Sequence, residues 1–236
     1  MTRSLNLFII LIVIPFTLSA GLDVVKKDSP NFLILIADDA GMDFGCYGNS
    51  AIKTPNIDRL TKDGLMFESA FLTSPQCSPS RISILTGKYP HTTRTEDLHT
   101  PLPDGERFVT SYLQKAGYFT GHTNKTHYGP NGNAQFNWYS KDLADFSKFV
   151  KEARNKPFFF WTGFVDPHRG YQSGTIAEPH NSENVVVRRH LVDDSGTRKD
   201  IAMYYDEIAR MDSVVGSYIE ILQDEKKLKN TYVIFM

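Results

Sequence analysis

The sequence predicts an α/β fold in which a mostly parallel sheet is flanked by helices. Short, continuously apolar runs alternate along the chain with longer segments whose apolar residues recur at helical spacing. The apolar runs lack the polar alternation of half-exposed strands, which is typical of parallel strands buried on both faces. Polar clusters follow several of these runs directly, and open α/β sheets carry their ligand sites beyond the carboxyl ends of their strands.

The N-terminal half of the chain opens with a strand, a helix and a second apolar segment. Residues 31–37 are continuously apolar after the first position and are predicted to form a buried strand. Residues 55–63 are predicted to form a helix, because a proline stands at the start and Gly64 follows the end. Residues 65–71 are largely apolar and short, which favours a strand.

The next helix is expected to begin near Arg81, with Ser80 as its N-cap, and to end at Gly87. Pro79 lacks a backbone donor and restricts its neighbours, and so Cys77 cannot lie in the middle of a helix. Cys77 is therefore predicted to lie just before a helix N-terminus, where backbone N–H groups attract anions.

The remaining elements continue the same alternation. Apolar residues at steps of three and four predict helices over residues 108–116, 139–153 and 200–224. Apolar runs predict strands over residues 158–165 and 232–235, and residues 118–123 are expected to form a strand that leads into the polar segment 124–127. Residues 170–195 are polar and lack periodicity, and we expect them to form a long loop near the functional site.

Composition and the first residues narrow the class of protein. The 236 residues are 41% hydrophobic, which is enough for a core, and the net charge of −1 gives no electrostatic basis for binding nucleic acid.

Residues 1–20 are typical of a secretory signal peptide, with Arg3 ahead of an apolar run that Pro15 interrupts. We therefore expect no stable membrane anchor. Export to a periplasm or to the outside is predicted, or to the lysosome if the source is eukaryotic.

Three polar clusters, at residues 38–39, 125–127 and 166–169, each follow a predicted strand. Because parallel strands end at the same edge of a sheet, these clusters are expected to meet there. Asp38 and Asp39 offer oxygen ligands, which hard cations such as Ca²⁺ or Mg²⁺ prefer. Taken alone, the two carboxylates could equally be a solvated turn or a helix cap, and the basic residues of the other clusters could be surface residues.

The run Cys77-Ser78-Pro79-Ser80-Arg81, followed by Leu85-Thr86-Gly87, resembles the signature of the type I sulfatases. The resemblance implies an alkaline-phosphatase-like fold and a cysteine that is oxidised to formylglycine, an aldehyde that acts as its hydrate. It also implies a maturation partner, a formylglycine-generating or sulfatase-maturing enzyme. The alternative for an exported chain is a disulfide between Cys77 and Cys46, which are its only cysteines.

The same resemblance assigns a metal site and a cation beside the nucleophile. It implies that Asp38, Asp39 and the modified Cys77 bind Ca²⁺, rather than Mg²⁺. Arg81, with its permanent charge and forked donors, would stabilise the oxyanion of the nucleophile and the neighbouring metal site.

Other segments match the sulfate-binding elements of the family. Asn124-Lys125-Thr126-His127 resembles its Lys-x-His element, in which Lys125 would hold a sulfate oxygen and His127 would contact the aldehyde hydrate as its base. His168 would contact the sulfate on the leaving-group side, as a general acid, and Arg169 would contact the substrate.

Within the family, residues 49–55, 164–169 and 209–212 are most similar to the sulfamidase (heparan N-sulfatase) branch. This implies hydrolysis of sulfuric esters or sulfamates on sulfated saccharides, with N-sulfoglucosamine as one substrate. In the family, an Asp-Asn pair that completes the calcium site and a C-terminal subdomain follow the strand that matches residues 232–235, and neither occurs within the 236 residues. Residues 21–236 are therefore expected to be the N-terminal part of a catalytic domain. This part is expected to be inactive by itself if the calcium ion lacks ligands. Two alternatives are a phosphatase or phosphodiesterase of the same superfamily and a non-catalytic remnant that binds sulfated polysaccharide.

Overall fold

The computed structural model describes residues 29–236, and the predicted signal peptide lies outside the described residues. Five strands form one sheet: β1 (Asn31–Ile36), β2 (Phe119–Asn124), β3 (Trp138–Ser140), β4 (Phe158–Gly163) and β5 (Thr231–Phe235). Their order is β3-β2-β4-β1-β5, and every neighbouring pair is parallel. The predicted α/β class with a mostly parallel sheet is therefore confirmed.

Helices cover both faces of this sheet. They are α1 (Pro55–Asp63), α2 (Cys77–Thr86), α3 (Pro90–Thr93), α4 (Val109–Lys115), α5 (Gly129–Asn133), α6 (Phe146–Ala153) and α7 (Ser195–Asp224). Three short 3₁₀ turns lie at Gly45–Tyr47, Leu143–Asp145 and Leu228–Asn230. As predicted, the segment between β4 and α7 is a long loop.

Alternate residues of the strands face two separate cores. On one side, Leu33 of β1 and Phe160 of β4 are fully buried against α6 and α7. On the other side, Ile34 of β1 and Trp161 of β4 pack with Ile82 of α2. A strand buried on both faces must be apolar at every position, which explains the unbroken apolar runs in the sequence.

The longest helix, α7, has 30 residues and starts five residues earlier than its apolar period indicates. Asp194 caps it, since its Oδ1 accepts a hydrogen bond from the Thr197 backbone N–H at 2.8 Å. Among the described residues no helix has both the length and the apolar character that a bilayer crossing requires.

Three predicted elements differ from the structure. Residues 65–71 are not a strand; Leu65 and Phe71 are 86% and 92% exposed. Helix α2 begins at Cys77 rather than near Arg81, with Gln76 at the N-cap position. The helix predicted over residues 139–153 begins only at Phe146, because residues 138–140 pair with β2 as strand β3.

Candidate active site

Three loops meet at the carboxyl edge of the sheet, as the sequence predicts. The backbone N–H of Asp38, after β1, donates to the carbonyl of Asp166, after β4, at 3.0 Å. The N–H of Lys125, after β2, donates to the carbonyl of Gly163 at 2.8 Å. These backbone bonds continue the sheet beyond its strands, and so they fix the side chains of the three loops relative to one another.

Four of the predicted site residues are in direct contact. The Asp38 carboxylate forms an ion pair with Lys125, and its Oδ1 lies 3.4 Å from Nη2 of Arg81 and 3.3 Å from Sγ of Cys77. Nζ of Lys125 lies 3.6 Å from the same sulfur. Asp38, Arg81 and Lys125 are all buried. One carboxylate, two cations and a thiol therefore share a site with little access to water.

Cys77 is the first residue of α2, and its half-buried thiol lies at the positive end of that helix. Pro79 is tolerated in the first turn because backbone N–H groups there have no partner within the helix. Both cysteines are free, and so the alternative of a Cys46–Cys77 disulfide is wrong.

The electrostatic environment does not favour a thiolate. Burial raises the pKa of Cys77, and the adjacent Asp38 carboxylate raises it further. Burial would also raise the pKa of Asp38, but the hydrogen bond from Lys125 and the charge of Arg81 outweigh it, and the pKa falls below its ordinary value. Burial lowers the pKa of His127, and so do the charges of Lys125 and Arg81. Asp38 is therefore held ionised, while His127 is held neutral and able to accept a proton.

The donor atoms could hold a metal ion. One oxygen of Asp38, the sulfur of Cys77 and a ring nitrogen of His168 all lie within 4.8 Å of one another. Nε2 of His168 is also 3.7 Å from Oδ2 of Asp39. The cluster thus joins Asp38 and Cys77 to His168, whereas Asp39, which the sequence predicts as a metal ligand, lies outside it with a side chain that is 57% exposed. The carboxylate oxygen of Asp38 is the donor in this cluster that suits a hard cation.

Helix α7 holds the loop that carries His168. The Arg210 guanidinium bonds both oxygens of Asp166, at 2.9 and 2.7 Å, and also bonds Glu207. Asp200 holds Arg169 through two bonds of 2.8 and 2.7 Å. The guanidinium of Arg169, which the sequence indicates as a substrate contact, is thus engaged with α7 rather than with the cluster around Asp38.

Two further residues, His99 and Gly163, lie near the site. The backbone N–H of His99 donates to the buried hydroxyl of Ser78 at 2.7 Å, and its ring meets that of His127 at 5.1 Å between centroids. Gly163 ends β4 where Arg81 and Lys125 approach the backbone. Both relations join segments far apart in the chain, and so neither can be read from local sequence.

Gly163 gives a first test of this packing. A Cβ at this position would overlap the Lys125 carbonyl oxygen and the Arg81 guanidinium. We expect Gly163→Ala to destabilise the protein by about 1–3 kcal/mol and to displace Arg81, because an overpacked core must shift its backbone or side chains. Chemical denaturation measures the change in unfolding free energy.

Gly196→Ala is the matched control for that variant. Its new methyl would meet only Oδ1 of Asp194, at 3.3 Å, in the first turn of α7. We expect its stability to equal that of the parent or to exceed it by up to about 1 kcal/mol, because alanine favours a helix more than glycine does. Equal stability of the two variants would contradict the tight packing at Gly163.

Comparison with known proteins identifies the family. The family model described as Sulfatase matches residues 30–142 and 137–236. The chain belongs to the sulfatase family. It is 33% identical over 247 residues to N-sulphoglucosamine sulphohydrolase of Homo sapiens, covering 87% of this chain and 49% of that protein. It is 29% identical over 258 residues to N-acetylgalactosamine-6-sulfatase of Homo sapiens, with the same two coverages of 87% and 49%.

This sulfatase-family chain therefore spans about half the length of the curated relatives it matches. Its fold also resembles that of the phosphonate monoester hydrolase of Agrobacterium radiobacter, with a TM-score of 0.66 and 18% identity. That likeness covers 87% of this chain and 62% of the other. This likeness shows that the two proteins share a fold.

Proposed function

We propose that residues 21–236 are the part of a sulfatase catalytic domain that carries the nucleophile, and that the protein hydrolyses sulfuric esters or sulfamates of sulfated saccharides. The observation that carries this proposal is the position of Cys77, at the start of α2 and in contact with both Asp38 and Lys125. A tetrahedral anion bound there would meet a helix N-terminus and buried cations together.

The raised pKa of Cys77 favours a modified residue over a thiolate nucleophile. Conversion to formylglycine breaks the Cβ–S bond, forms a carbonyl and releases the sulfur as hydrogen sulfide. Water supplies the carbonyl oxygen, and two protons and two electrons leave, so that the step is a two-electron oxidation. We propose that a formylglycine-generating or sulfatase-maturing enzyme performs it and passes the electrons to an oxidant such as O₂, which is reduced to hydrogen peroxide when it takes two. The hydrate of the aldehyde supplies one hydroxyl to attack sulfur and a second whose deprotonation releases the sulfate.

We propose that Asp38, Asp39 and residue 77 hold Ca²⁺ rather than Mg²⁺. A bound calcium ion would add positive charge beside residue 77 and the sulfate oxygens. Calcium takes about six to eight oxygen ligands, and so the others would come from the sulfate, from water or from residues beyond these 236. The lowered pKa of Asp38 supports the role, because a metal ligand must be ionised.

The chain's own side chains have separable tasks in this proposal. Lys125, 3.6 Å from the sulfur of Cys77, binds a sulfate oxygen. The buried Arg81, paired with Asp38, adds positive charge beside the nucleophile. His127 is held neutral, and it accepts the proton whose removal releases sulfate. His168, on the exposed side of the cluster, donates a proton to the departing alcohol or amine. Arg169 would reach a substrate only by leaving Asp200.

The substrate class is proposed from two relatives that the chain resembles. One relative's name specifies N-sulphoglucosamine and another's a 6-sulfate of N-acetylgalactosamine. We therefore propose a sulfated saccharide of glycosaminoglycan type, with N-sulfoglucosamine as the first candidate. We also propose that the protein is exported from the cytoplasm to the compartment in which such polysaccharides occur.

Release of sulfate from defined substrates tests the proposal. The protein, produced together with a maturation enzyme and supplied with Ca²⁺, is incubated with an N-sulfoglucosamine saccharide, a 6-O-sulfated N-acetylgalactosamine and an aryl phosphate. Ion chromatography is expected to detect sulfate, and little phosphate. Release of phosphate alone would favour a phosphatase or phosphodiesterase. Saccharide binding without turnover, by protein shown to carry the aldehyde, would favour the non-catalytic alternative.

A further inference from the structure

We propose that His99 is a further histidine of this site and that its side chain contacts the saccharide from which sulfate departs. The inference rests on the proposed function and adds a residue that the family's motif does not include. It is carried by the backbone, the ring contact and the exposure of His99, and each of these is observed independently of the others.

The backbone of His99 is fixed beside the nucleophile. Its N–H donates to Oγ of Ser78 at 2.7 Å, and Ser78, the neighbour of Cys77, is fully buried. His99 also adopts a φ of 68°, in the left-handed region that residues other than glycine seldom enter. Such conformations cost free energy and cluster at functional sites, where the surrounding structure holds them.

The ring of His99 forms one wall beside His127. The two rings meet edge to face, with centroids 5.1 Å apart and an interplanar angle of 72°. His127 is half-buried, and its Nδ1 has no hydrogen-bond partner within residues 29–236. His99, by contrast, is exposed. Its ring therefore covers His127 on one side and faces solvent on the other, as the wall of a binding pocket does.

The chemistry of the neighbourhood indicates which part of a substrate His99 would meet. Asp38, Lys125 and Arg81 already surround the sulfur of Cys77 from the buried side, where the sulfate would lie. The exposed imidazole of His99, at the rim of the site, is therefore available to contact the saccharide. Its two ring nitrogens can donate to or accept from a sugar hydroxyl, and its face can pack on the sugar ring.

The tie to Ser78 uses the backbone of His99 and survives replacement of its side chain. His99→Ala should therefore fold and keep the segment in place, so that the variant reports on the imidazole. His91→Ala is the matched control, because His91 is also exposed and its ring stacks on Tyr89 at 5.6 Å.

The test compares kcat and KM of the matured protein for an N-sulfoglucosamine disaccharide and for a small aryl sulfate. In His99→Ala we expect kcat/KM for the disaccharide to fall about tenfold, with little change for the aryl sulfate. His91→Ala should match the parent on both substrates, and the aldehyde content of all three proteins should be equal.

Parental kinetics of His99→Ala on the disaccharide would overturn the inference. An equal loss on both substrates would overturn it too, because His99 would then act through His127 rather than by contact with the saccharide. If the parent protein hydrolyses neither substrate, the proposed function fails. The contact between His99 and the saccharide is then tested by binding of the disaccharide. Calorimetric affinity for the disaccharide must then be weaker in His99→Ala, and equal affinity would refute the contact.

Discussion

Cys77→Ala is expected to reduce sulfate release by at least about four orders of magnitude, because it removes the nucleophile on which every step of covalent catalysis depends. The thiol is half-buried, and its loss leaves the ion pairs of Asp38 with Lys125 and Arg81 in place. The variant should therefore remain folded. Steady-state assay of sulfate release, together with thermal unfolding, separates the two effects.

Cys46→Ala provides the matched control for this experiment. Cys46 is the other free cysteine, equally half-buried, and its backbone N–H donates to Asp58 at 2.7 Å, an interaction that alanine retains. We expect its turnover to be within about threefold of the parent, since it lies outside the site. Parental turnover by Cys77→Ala would eliminate residue 77 as the nucleophile.

Lys125→Met is expected to lower kcat by about 10²–10³-fold, the usual consequence of removing one preorganised group that stabilises developing negative charge. Methionine has a similar length and keeps the apolar stem packed, but it takes the cation away from Asp38 and from the sulfur 3.6 Å distant. Burial then acts on Asp38 with the charge of Arg81 and the hydrogen bond from Cys77 left to oppose it, and so the pKa of Asp38 should rise. Kinetics at saturating substrate measure the loss.

Lys88→Met is the matched control, because it removes a lysine charge that lies outside the candidate site. Lys88 forms an ion pair with Glu106 at 2.7 Å, and its side chain is 46% exposed. Exposed pairs contribute about 0–1 kcal/mol, and so this variant should be near the parent in both stability and kcat. If the two lysine variants have the same kcat, Lys125 does not act on the reacting sulfate.

Most of the sheet could be predicted from the sequence because a strand buried on both faces must be apolar throughout. This holds for β1 and β4, whereas β2 contains polar residues such as Thr120 and His122, and β5 has alternate residues exposed. The polar residues that follow β1, β2 and β4 do converge. Strand β3 was missed because three residues, Trp138–Ser140, owe their conformation to pairing with β2. The reverse error occurred at residues 65–71, where an apolar run lies exposed and unpaired in the described part of the chain.

The candidate site shows the same division between local and long-range information. The Cys77–Arg81 run has a fixed local spacing, and the structure brings both ends against Asp38. Arg169 is different, since nothing in its own segment shows that Asp200 of α7 engages its guanidinium. His99 follows the motif helix in the sequence, but its relation to Ser78 and His127 exists only in three dimensions.

The chemical state of residue 77 is the most direct test of this account. Peptide mass spectrometry of the protein recovered from its natural host after export would measure it. We expect the peptide containing residue 77 to be lighter by about 18 Da than the peptide with an intact thiol, as formylglycine requires. An unmodified cysteine at position 77, in protein that hydrolyses sulfated saccharides, would contradict the account.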